Sequence, residues 1–452
     1  MAQGISPRKR VVIVGGGFGG LAAARALRHA RAWVMLIDRS NHDLFQPLLC
    51  QVATSVLSPR QIGWPIREMF KRQPNATVVM GEVTGVDKER RRVFVTSLDR
   101  RDVPVEYDYL VMATGVRHSY FGHQEFERFA PGLKTLADAV AIRNRILTAF
   151  EQAEAEEDPT HHRDLLTFVF VGAGPTGVEL AAALAVMIRS TLKSEFRRID
   201  PRSARIILVD MADRVLGAFS SILSAAALRR LQSLGVEVML GHGAEQIDES
   251  GSVVDGQRIA ARTVIWTAGV ESSQAGRWLA AETDRAGRVR VETDLTVPGY
   301  PEIYVIGDIA CLEQDGKALP GLAPVALQQG LYAGKAIERR LRGMPPGAPF
   351  RYFNRGSMAV VGKGFAILQS GRVQLTGWIA WLISSAVHLQ YLAQTNLRLS
   401  VFVQWVWTQI TGQRGSRLIV WHHENRSESI SQATASAIAQ SNRGDFEKQM
   451  KA

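Results

Sequence analysis

The sequence predicts an α/β protein with two Rossmann-like dinucleotide-binding domains and a C-terminal α-helical region. Two observations predict the domains: a pattern of strand, G-x-G-x-x-G, helix, strand and acidic residue occupies residues 11–38, and it recurs at residues 166–210. The third observation predicts the helical region, since residues 373–397 contain no Asp, Glu, Lys or Arg. The hydrophobic content of 46% is typical of packed globular cores.

The first unit begins with an apolar strand at residues 11–14, which runs into the turn Gly15-Gly16-Gly17-Phe18-Gly19-Gly20. Gly15 permits the tight turn, Gly17 lets the backbone approach a pyrophosphate, and Gly20 lets helix and strand pack closely. The phosphates then lie at the helix N-terminus, where free N–H groups and the helix dipole favour anions. The second strand ends on Asp38, which is placed to accept hydrogen bonds from a ribose hydroxyl.

The segment after Asp38 is too polar at its start to be another core strand. Gln46 and Pro47 are interpreted either as loop residues near a ligand or as the start of a helix. Short strands between residues 77 and 95 predict a small antiparallel excursion. A buried strand then ends in the small-residue turn Ala113-Thr114-Gly115, and residues 137–157 predict a polar helix that leads to the second unit.

The second unit repeats this order, with a strand at residues 166–171 and the turn Gly172-Ala173-Gly174-Pro175-Thr176-Gly177. Its acidic residue, Asp210, lies farther from the turn than the usual spacing of about 20 residues, because a long helix and a linker intervene. A later strand ends in Ala268-Gly269, which echoes the end of the strand before Gly115. Two copies of one unit imply two dinucleotide sites.

A last strand of this kind ends in Gly307-Asp308. Gly307 allows close approach of a ligand, and Asp308 is able to accept a hydrogen bond from a ribityl hydroxyl. The next helix opens near Ala323, and its N-terminus would favour a ring system that gains negative charge on reduction.

With roughly 150 residues per domain, 452 residues predict two to three domains. We expect the first dinucleotide-binding domain to consist of two separate parts of the chain and the second to lie between them. The predicted bounds are 8–120 and 293–350 for the first domain, 121–292 for the second, 351–421 for the C-terminal region and 422–452 for a poorly ordered tail.

The C-terminal region contains five of the nine tryptophans: Trp378, Trp381, Trp405, Trp407 and Trp421. Its second apolar run, residues 399–413, is short for a membrane-spanning helix, which needs about 20 apolar residues. Tryptophans with flanking arginines are typical of amphipathic helices that lie at a membrane surface, so we predict a membrane-associating region. A dimer interface and buried core helices are the competing interpretations.

The formal net charge is +11, from 54 basic and 43 acidic residues, which suits an anionic lipid bilayer surface or anionic ligands. The sequence contains no recognition module for nucleic acid, so no nucleic-acid partner is expected. Cys50 and Cys311 are the only cysteines, which fits a reducing compartment. The basic N-terminal residues lack the apolar core of a signal peptide, which favours a cytoplasmic location.

Taken together, the motifs resemble those of the flavoproteins with two dinucleotide-binding domains, which hold FAD in the first domain and NAD(P)H in the second. Within them, Phe45-Gln46-Pro47-Leu48-Leu49, Gly174-Pro175-Thr176-Gly177-Val178-Glu179-Leu180 and the Trp-rich C-terminus resemble type II NADH dehydrogenase over residues 8–421. That family is the single-subunit, non-proton-pumping NADH:quinone oxidoreductases of the respiratory chain. The resemblance implies the cofactors FAD and NADH, a membrane quinone as acceptor, and a peripheral position on the cytoplasmic face of the inner membrane.

The resemblance also implies roles for individual residues. It assigns catalysis to Glu179, Gln328 and Gln329 and quinone contacts to Gln46 and Gln328, although first-turn capping is a purely structural explanation for Glu179. The implied FAD contacts are Gly15, Gly16, Gly17, Phe18, Gly19, Gly20, Asp38, Arg39, Val83, Ala113, Thr114, Gly115, Gly307 and Asp308. The implied NADH contacts are Gly172, Gly174, Thr176, Gly177, Asp210, Ala268 and Gly269. No metal site is expected.

Two positions depart from the family pattern: Pro324 stands where a Gln is frequent, and Cys50 stands where Tyr is common. A redox-active cysteine pair near the first motif is missing, which excludes disulfide reductases of similar architecture. A meeting of Cys50 with Cys311 in space would instead indicate a sulfide:quinone oxidoreductase. Two rival functions share the predicted fold: a reductase of a small redox protein such as ferredoxin, and a nucleotide-sensing flavoprotein. A homodimer is compatible with the sequence.

Overall fold

The structure is a computed structural model that describes residues 8–193, 195–392 and 394–420. The predicted poorly ordered tail and Trp421 lie outside these residues. Two largely parallel sheets, of six and four strands, form the centre of the protein, and smaller sheets, most of them antiparallel, surround them.

The first part of the chain contains ten strands and three helices. The strands are β1 (Lys9–Val14), β2 (Ala32–Asp38), β3 (His42–Leu44), β4 (Gly63–Pro65), β5 (Ala76–Met80), β6 (Glu82–Asp87), β7 (Arg92–Thr96), β8 (Val103–Glu106), β9 (Tyr109–Met112) and β10 (Val116–His118). The helices are α1 (Phe18–Ala26), α2 (Leu49–Ala53) and α3 (Ile66–Phe70).

The middle of the chain contains the second parallel sheet and its helices. The strands are β11 (Thr167–Val171), β12 (Arg205–Asp210), β13 (Val236–Leu240), β14 (Ala244–Asp248), β15 (Gly251–Val254), β16 (Gln257–Ala260), β17 (Thr263–Trp266) and β18 (Val270–Ser272). The helices are α4 (Leu136–Ala155), α5 (Pro159–Leu165), α6 (Pro175–Val186), α7 (Ser221–Ser233) and α8 (Ala275–Trp278).

The last part of the described chain returns to the first sheet and then forms the C-terminal region. The strands are β19 (Val289–Arg290), β20 (Thr296–Val297), β21 (Tyr300–Val305), β22 (Ala310–Cys311), β23 (Glu313–Gln314), β24 (Lys317–Ala318), β25 (Ser357–Val360), β26 (Ala366–Ser370) and β27 (Val373–Gly377). The helices are α9 (Ala323–Leu341), α10 (Trp378–Tyr391) and α11 (Thr395–Thr411).

The six-stranded sheet has the order β20-β21-β9-β1-β2-β5, and all of its pairs except β20–β21 are parallel. Its central strand β1 is an unbroken apolar run whose residues 11–14 are buried, as expected for a parallel strand covered on both faces. Since β21 follows the second unit in sequence, this sheet combines residues from two separate parts of the chain, which is the arrangement predicted for the first domain. The exact domain boundaries stay a prediction.

The four-stranded sheet has the order β13-β12-β11-β17 and is parallel throughout. Strand β11 lies in its middle, and the second glycine-rich turn leads from this strand into α6. Both parallel sheets therefore present a glycine-rich turn at the carboxyl ends of neighbouring strands, the usual position of a ligand in open α/β sheets.

One local prediction differs from the structure, and one pair of alternatives is resolved by it. Residues 76–80 form β5, a parallel edge strand of the six-stranded sheet, and the antiparallel excursion is the separate sheet β6-β7-β8. The short apolar run of β5 does not reveal by itself whether the strand pairs locally or with the distant β2. Gln46 begins a single helical turn, Gln46–Leu48, which leads into α2, so the helix start is the correct interpretation of that segment.

In the C-terminal region, the antiparallel sheet β25-β26-β27 packs against α10, and α11 follows. Helices α10 and α11 confirm the prediction of a helical region. Each helix has an inner side that packs on the protein and an outer side that is exposed. Leu392 and Val401 are buried in the large core that also contains α2, α4 and α6. Across the described ranges of the chain, the structure contains no helix of sufficient length and apolarity to span a bilayer.

Candidate functional site

The first glycine-rich turn lies where four strands of the six-stranded sheet end. Gly15 has φ +107°, and a Cβ atom there would lie 2.2 Å from the carbonyl oxygen of Ala113, so only glycine fits. By contrast, a Cβ on Gly17 or Gly115 would meet nothing within 4 Å. The turn therefore packs closely against the sheet on one side and leaves open space on the other, which suits a pyrophosphate at the N-terminus of α1. We call this space the first cleft and the equivalent space at the second glycine-rich turn the second cleft.

Asp38 and Asp210 have the same arrangement in the two units. The Asp38 carboxylate accepts hydrogen bonds from the backbone N–H groups of Gly16 and Ser40, both at 2.6 Å. The Asp210 carboxylate accepts from the N–H groups of Ala173 and Ala212. Each acid thus holds its glycine-rich turn against the end of the neighbouring strand and keeps lone pairs for a ribose.

At the end of β21, Gly307 and Asp308 lie beside the start of α9. Burial raises the pKa of Asp308, while Lys134 and Arg288 act in the opposite direction. Among the described residues, the Asp308 carboxylate has no hydrogen-bond donor, so a ligand hydroxyl would supply one. Gln329 is buried, and its Oε1 accepts from the N–H of Gly307 at 2.6 Å. It therefore supports the backbone of this corner.

The two clefts are joined by a short ribbon in which β10 pairs with β18. At one end of the ribbon, the hydroxyl groups of Thr114 and Ser273 are 2.5 Å apart. Thr114 belongs to the turn after β9, and Ser273 follows the strand that begins just after Gly269. The ribbon thus connects the small-residue turns of the two units.

Glu179 is the fifth residue of α6, just beyond its first turn, and its carboxylate accepts a hydrogen bond from the N–H of Val360 at 3.0 Å. Burial raises the pKa of Glu179 to about 7, and the Val360 N–H counteracts this rise. In the same region, the Cys50 thiol donates to the carbonyl of Thr176, over 3.8 Å. Burial and the Glu179 charge together raise the pKa of that thiol, so it stays protonated.

Gln328 lies on α9 and contacts the loop before β25. Its amide donates to the carbonyl of Phe353 at 3.0 Å and accepts from the Phe353 N–H at 2.9 Å. The same side chain lines a cavity of about 360 Å³ between α1, α9 and the ends of α10 and α11. Most of its wall is apolar, and it includes Pro324, one of the two positions singled out in the sequence.

The predicted residues outside these groups are also placed by the structure. Arg39 is exposed beside Asp38, and Gln46 is exposed and does not line the cavity. The Val83 side chain is buried in a core cluster that also contains Val12, Val14 and Ile37, and its contact with FAD stays a prediction. Cys50 and Cys311 are both buried free thiols, and no disulfide joins them.

Sequence reasoning missed several residues that the fold brings to the cavity. Arg25 on α1, Asp43 on β3 and Arg398 on α11 all line it, although they are far apart in sequence. His388 on α10 packs edge-on against Phe45, with ring centroids 6.1 Å apart, and burial lowers the pKa of His388 to about 4. No short motif contains these residues, and only their common position in the fold identifies them.

Helices α10 and α11 also present an exposed apolar surface, which we call the apolar face. Its members on α11 follow helical spacing, and those on α10 cluster at its first turns. They are Trp378, Ile379, Leu382, Ile383, Leu399, Phe402, Val403, Val406, Trp407 and Ile410. Trp405 points inward instead: its indole N–H donates to the Gln51 side chain and its ring packs on the core.

Comparisons with known proteins agree with this geometry. The family described as pyridine nucleotide-disulphide oxidoreductase matches residues 9–330. A type II NADH:quinone oxidoreductase of Mycobacterium tuberculosis is 44% identical over 423 residues, which cover 91% of this chain and 90% of that protein. A second such enzyme of the same organism is 41% identical, with 89% and 87% covered. The solved structure of NDH2 from Plasmodium falciparum in complex with NADH has the same fold, with a TM-score of 0.82 and 19% identity over 92% of this chain and 100% of that chain.

Proposed function

The chain belongs to the pyridine nucleotide-disulphide oxidoreductases and, among them, to the type II NADH:quinone oxidoreductases, and on this premise we propose how its residues share the reaction. The activity is electron transfer from NADH through FAD to a membrane quinone, without proton pumping. The residue assignment is based mainly on one observation: the β10–β18 ribbon connects the regions of the two open glycine-rich turns.

The residues of the first cleft fit FAD. Gly15 to Gly20 and the N-terminus of α1 would hold the pyrophosphate, Asp38 the ribose, and Asp308 a ribityl hydroxyl. Support comes from the open space above Gly17 and from the Asp308 carboxylate, which has no donor among the described residues. When bound in this cleft, FAD would supply an acceptor for the hydride of NADH and a donor of electrons to the quinone.

The second cleft would hold NADH by the same devices. The N-terminus of α6 binds the pyrophosphate, Asp210 binds the adenosine ribose, and Ala268 and Gly269 border the nicotinamide end, which the ribbon directs toward the first cleft. Glu179 stands at this junction. Because its pKa is raised to about 7, it offers a carboxyl that is partly protonated at neutral pH and adds less negative charge beside the reacting rings.

We place the quinone in the cavity that Gln328 lines. The cavity touches α1 and α9, which build the first cleft, and it extends to α10 and α11, which carry the apolar face. A quinone ring would fit between these walls with its tail toward the membrane. Gln328, which keeps one amide hydrogen beyond its bonds to Phe353, would orient the ring by a hydrogen bond to a carbonyl.

The apolar face is proposed to lie in the surface of the inner membrane, on its cytoplasmic side. Tryptophan at the helix ends suits the headgroup level, and the exposed Arg372 and Arg398 would attract anionic lipid. A second copy of the chain is the competing occupant of this surface. Sedimentation with and without detergent distinguishes a homodimer built on this face from a monomer that binds bilayers.

The test of the function is steady-state NADH oxidation with three acceptors offered separately: a quinone, a ferredoxin and none. Quinone-dependent turnover supports the proposal. Turnover only with ferredoxin would indicate a reductase of a small redox protein, and flavin reduction without turnover would indicate a sensor.

A further inference from the structure

Quinone reduction needs protons as well as electrons. In the overall reaction, NADH, one proton and quinone give NAD⁺ and quinol: the hydride of NADH supplies both electrons and one proton, and the solvent supplies the other. Both quinone oxygens must gain a proton inside a cavity whose wall is mostly apolar. A titratable side chain that lines this cavity is therefore placed to deliver a proton to the quinone.

Asp43 is one of the side chains that line this cavity. Among the described residues that line the cavity, it is the only carboxylate. Its Oδ1 accepts a hydrogen bond from the backbone N–H of Trp64 at 2.9 Å, which fixes the orientation of the group. Its Oδ2 makes no hydrogen bond to any residue in the described part of the chain. The fixed carboxyl group thus keeps one oxygen for a ligand.

The charges around Asp43 suit a group that loses and regains a proton. Burial raises the pKa of Asp43 to about 6, while the Trp64 N–H and the charge of Arg25 act in the opposite direction. Arg355 and Arg398 also line the cavity, and Tyr391 adds a hydroxyl. A pKa slightly below neutral keeps a usable protonated fraction and allows reloading from solvent, which is the best range for a general acid.

We propose that Asp43 is the catalytic acid that donates a proton to the bound quinone. This rests on the proposed function, in which the quinone occupies the cavity. The O–H bond at Oδ2 breaks and an O–H bond forms on a quinone oxygen as that ring accepts electrons. The remaining carboxylate is stabilised by the Trp64 N–H and by Arg25, and it then takes a new proton from solvent.

The experiment follows flavin absorbance in a stopped-flow instrument. Protein loaded with FAD is first reduced by NADH and then mixed with a soluble quinone or with ferricyanide, which takes electrons without protons. In Asp43→Asn, whose side-chain oxygen still accepts from Trp64, we expect reoxidation by quinone to slow by about 100-fold or more. Reduction by NADH and reoxidation by ferricyanide should be unchanged. Asp99→Asn, at an exposed carboxylate, is the matched control and should behave as the parent.

The parent protein supplies a second measurement that needs no variant. Because Asp43 must be protonated to donate, the rate at which quinone reoxidises the flavin should fall as pH rises through about 6. The rate of reoxidation by ferricyanide should not fall. An infrared difference spectrum should also show a protonated-carboxyl band that disappears in Asp43→Asn. The proposal is overturned if the parent shows equal pH dependence with both acceptors, or if Asp43→Asn keeps the parental quinone rate. It is also overturned if Tyr391→Phe, with Asp43 intact, abolishes the pH dependence of the quinone rate. A parent that reduces ferricyanide and never quinone contradicts the proposed function instead.

Discussion

The indole nitrogen of Trp405 on α11 donates a hydrogen bond to Oε1 of Gln51 on α2, over 2.6 Å. Cys50, the neighbour of Gln51, contacts the second glycine-rich turn through Thr176. The inner side of α11 is therefore attached to the helix that borders the cleft, and only the outer side is free for a membrane. This difference decides which substitutions test membrane binding.

The apolar face predicts that the paired change of Phe402 and Trp407 to Gln weakens flotation with anionic liposomes and leaves FAD bound. Both side chains are more than half exposed, so folding should be unaffected. Trp405→Phe is the control: it loses a hydrogen bond, costs about 1 kcal/mol of stability and should float as the parent does. The liposome assay contradicts the proposal if the paired variant floats as well as the parent.

Deletion of α10 and α11 is a poorer test, because Leu392 and Val401 belong to the core and removing them opens it. The segment after α11 adds to this attachment. Arg414 is buried, and its guanidinium donates to the carbonyls of Thr54 and Ala183. Burial lowers the pKa of Arg414.

Arg414→Met should therefore lower the free energy of unfolding by about 1–3 kcal/mol, because the buried Thr54 carbonyl loses its donor. Urea denaturation of the FAD-loaded protein measures this change. Arg417→Met, at a more exposed position nearby, serves as the comparison and should cost less. Equal stability of the Arg414 variant and the parent would show that the segment after α11 is not attached as described.

The sequence predicts both parallel sheets because an apolar strand, a glycine-rich turn and a terminal acid are all local features. Strand β5 is assigned to the wrong sheet because its partner β2 is distant and a five-residue apolar run does not encode pairing. The helices α10 and α11 are predicted from composition. Their inner and outer sides are not, since Trp405 and Trp407 differ only in what lies opposite them in the fold.

In the site, too, residues in local motifs are predictable from the sequence, and residues brought together from distant elements are not. Asp38 and Asp210 are predictable because each follows a strand at a definite place in its motif. Asp43, Arg25 and Arg398 are not, because they come from β3, α1 and α11, which line a common cavity only in the folded protein. For Gln329 the sequence motif favours a contact with a ligand. In the structure its Oε1 instead accepts a hydrogen bond from the Gly307 N–H.

Asp38→Ala should weaken FAD retention, since the change removes the ribose acceptor and also two hydrogen bonds from the backbone of the turn. The flavin-to-protein absorbance ratio after gel filtration at low concentration measures retention. Asp38→Asn, which keeps an acceptor oxygen, should retain more FAD than the alanine variant. Equal retention by both variants and the parent would remove Asp38 from the cofactor site.

Asp210 should make NADH the preferred donor, because its carboxylate accepts from a free 2′-hydroxyl and repels a 2′-phosphate. Arg214 lies nearby, but its guanidinium is bonded to the Gly217 carbonyl. Asp210→Ser should narrow the ratio of kcat/KM for NADH over NADPH, mainly by raising the value for NADPH. A parent enzyme with the higher kcat/KM for NADPH contradicts this assignment.

One anaerobic titration of the FAD-loaded protein, on liposomes that contain a long-tailed quinone, tests whether electrons pass from NADH through FAD to the membrane quinone. Added NADH should be oxidised with formation of one quinol for each NADH, and the flavin absorbance should return to its oxidised value after each addition. Electron transfer to quinone is contradicted if NADH bleaches the flavin and the absorbance then stays low, with no quinol formed, until a different acceptor is supplied.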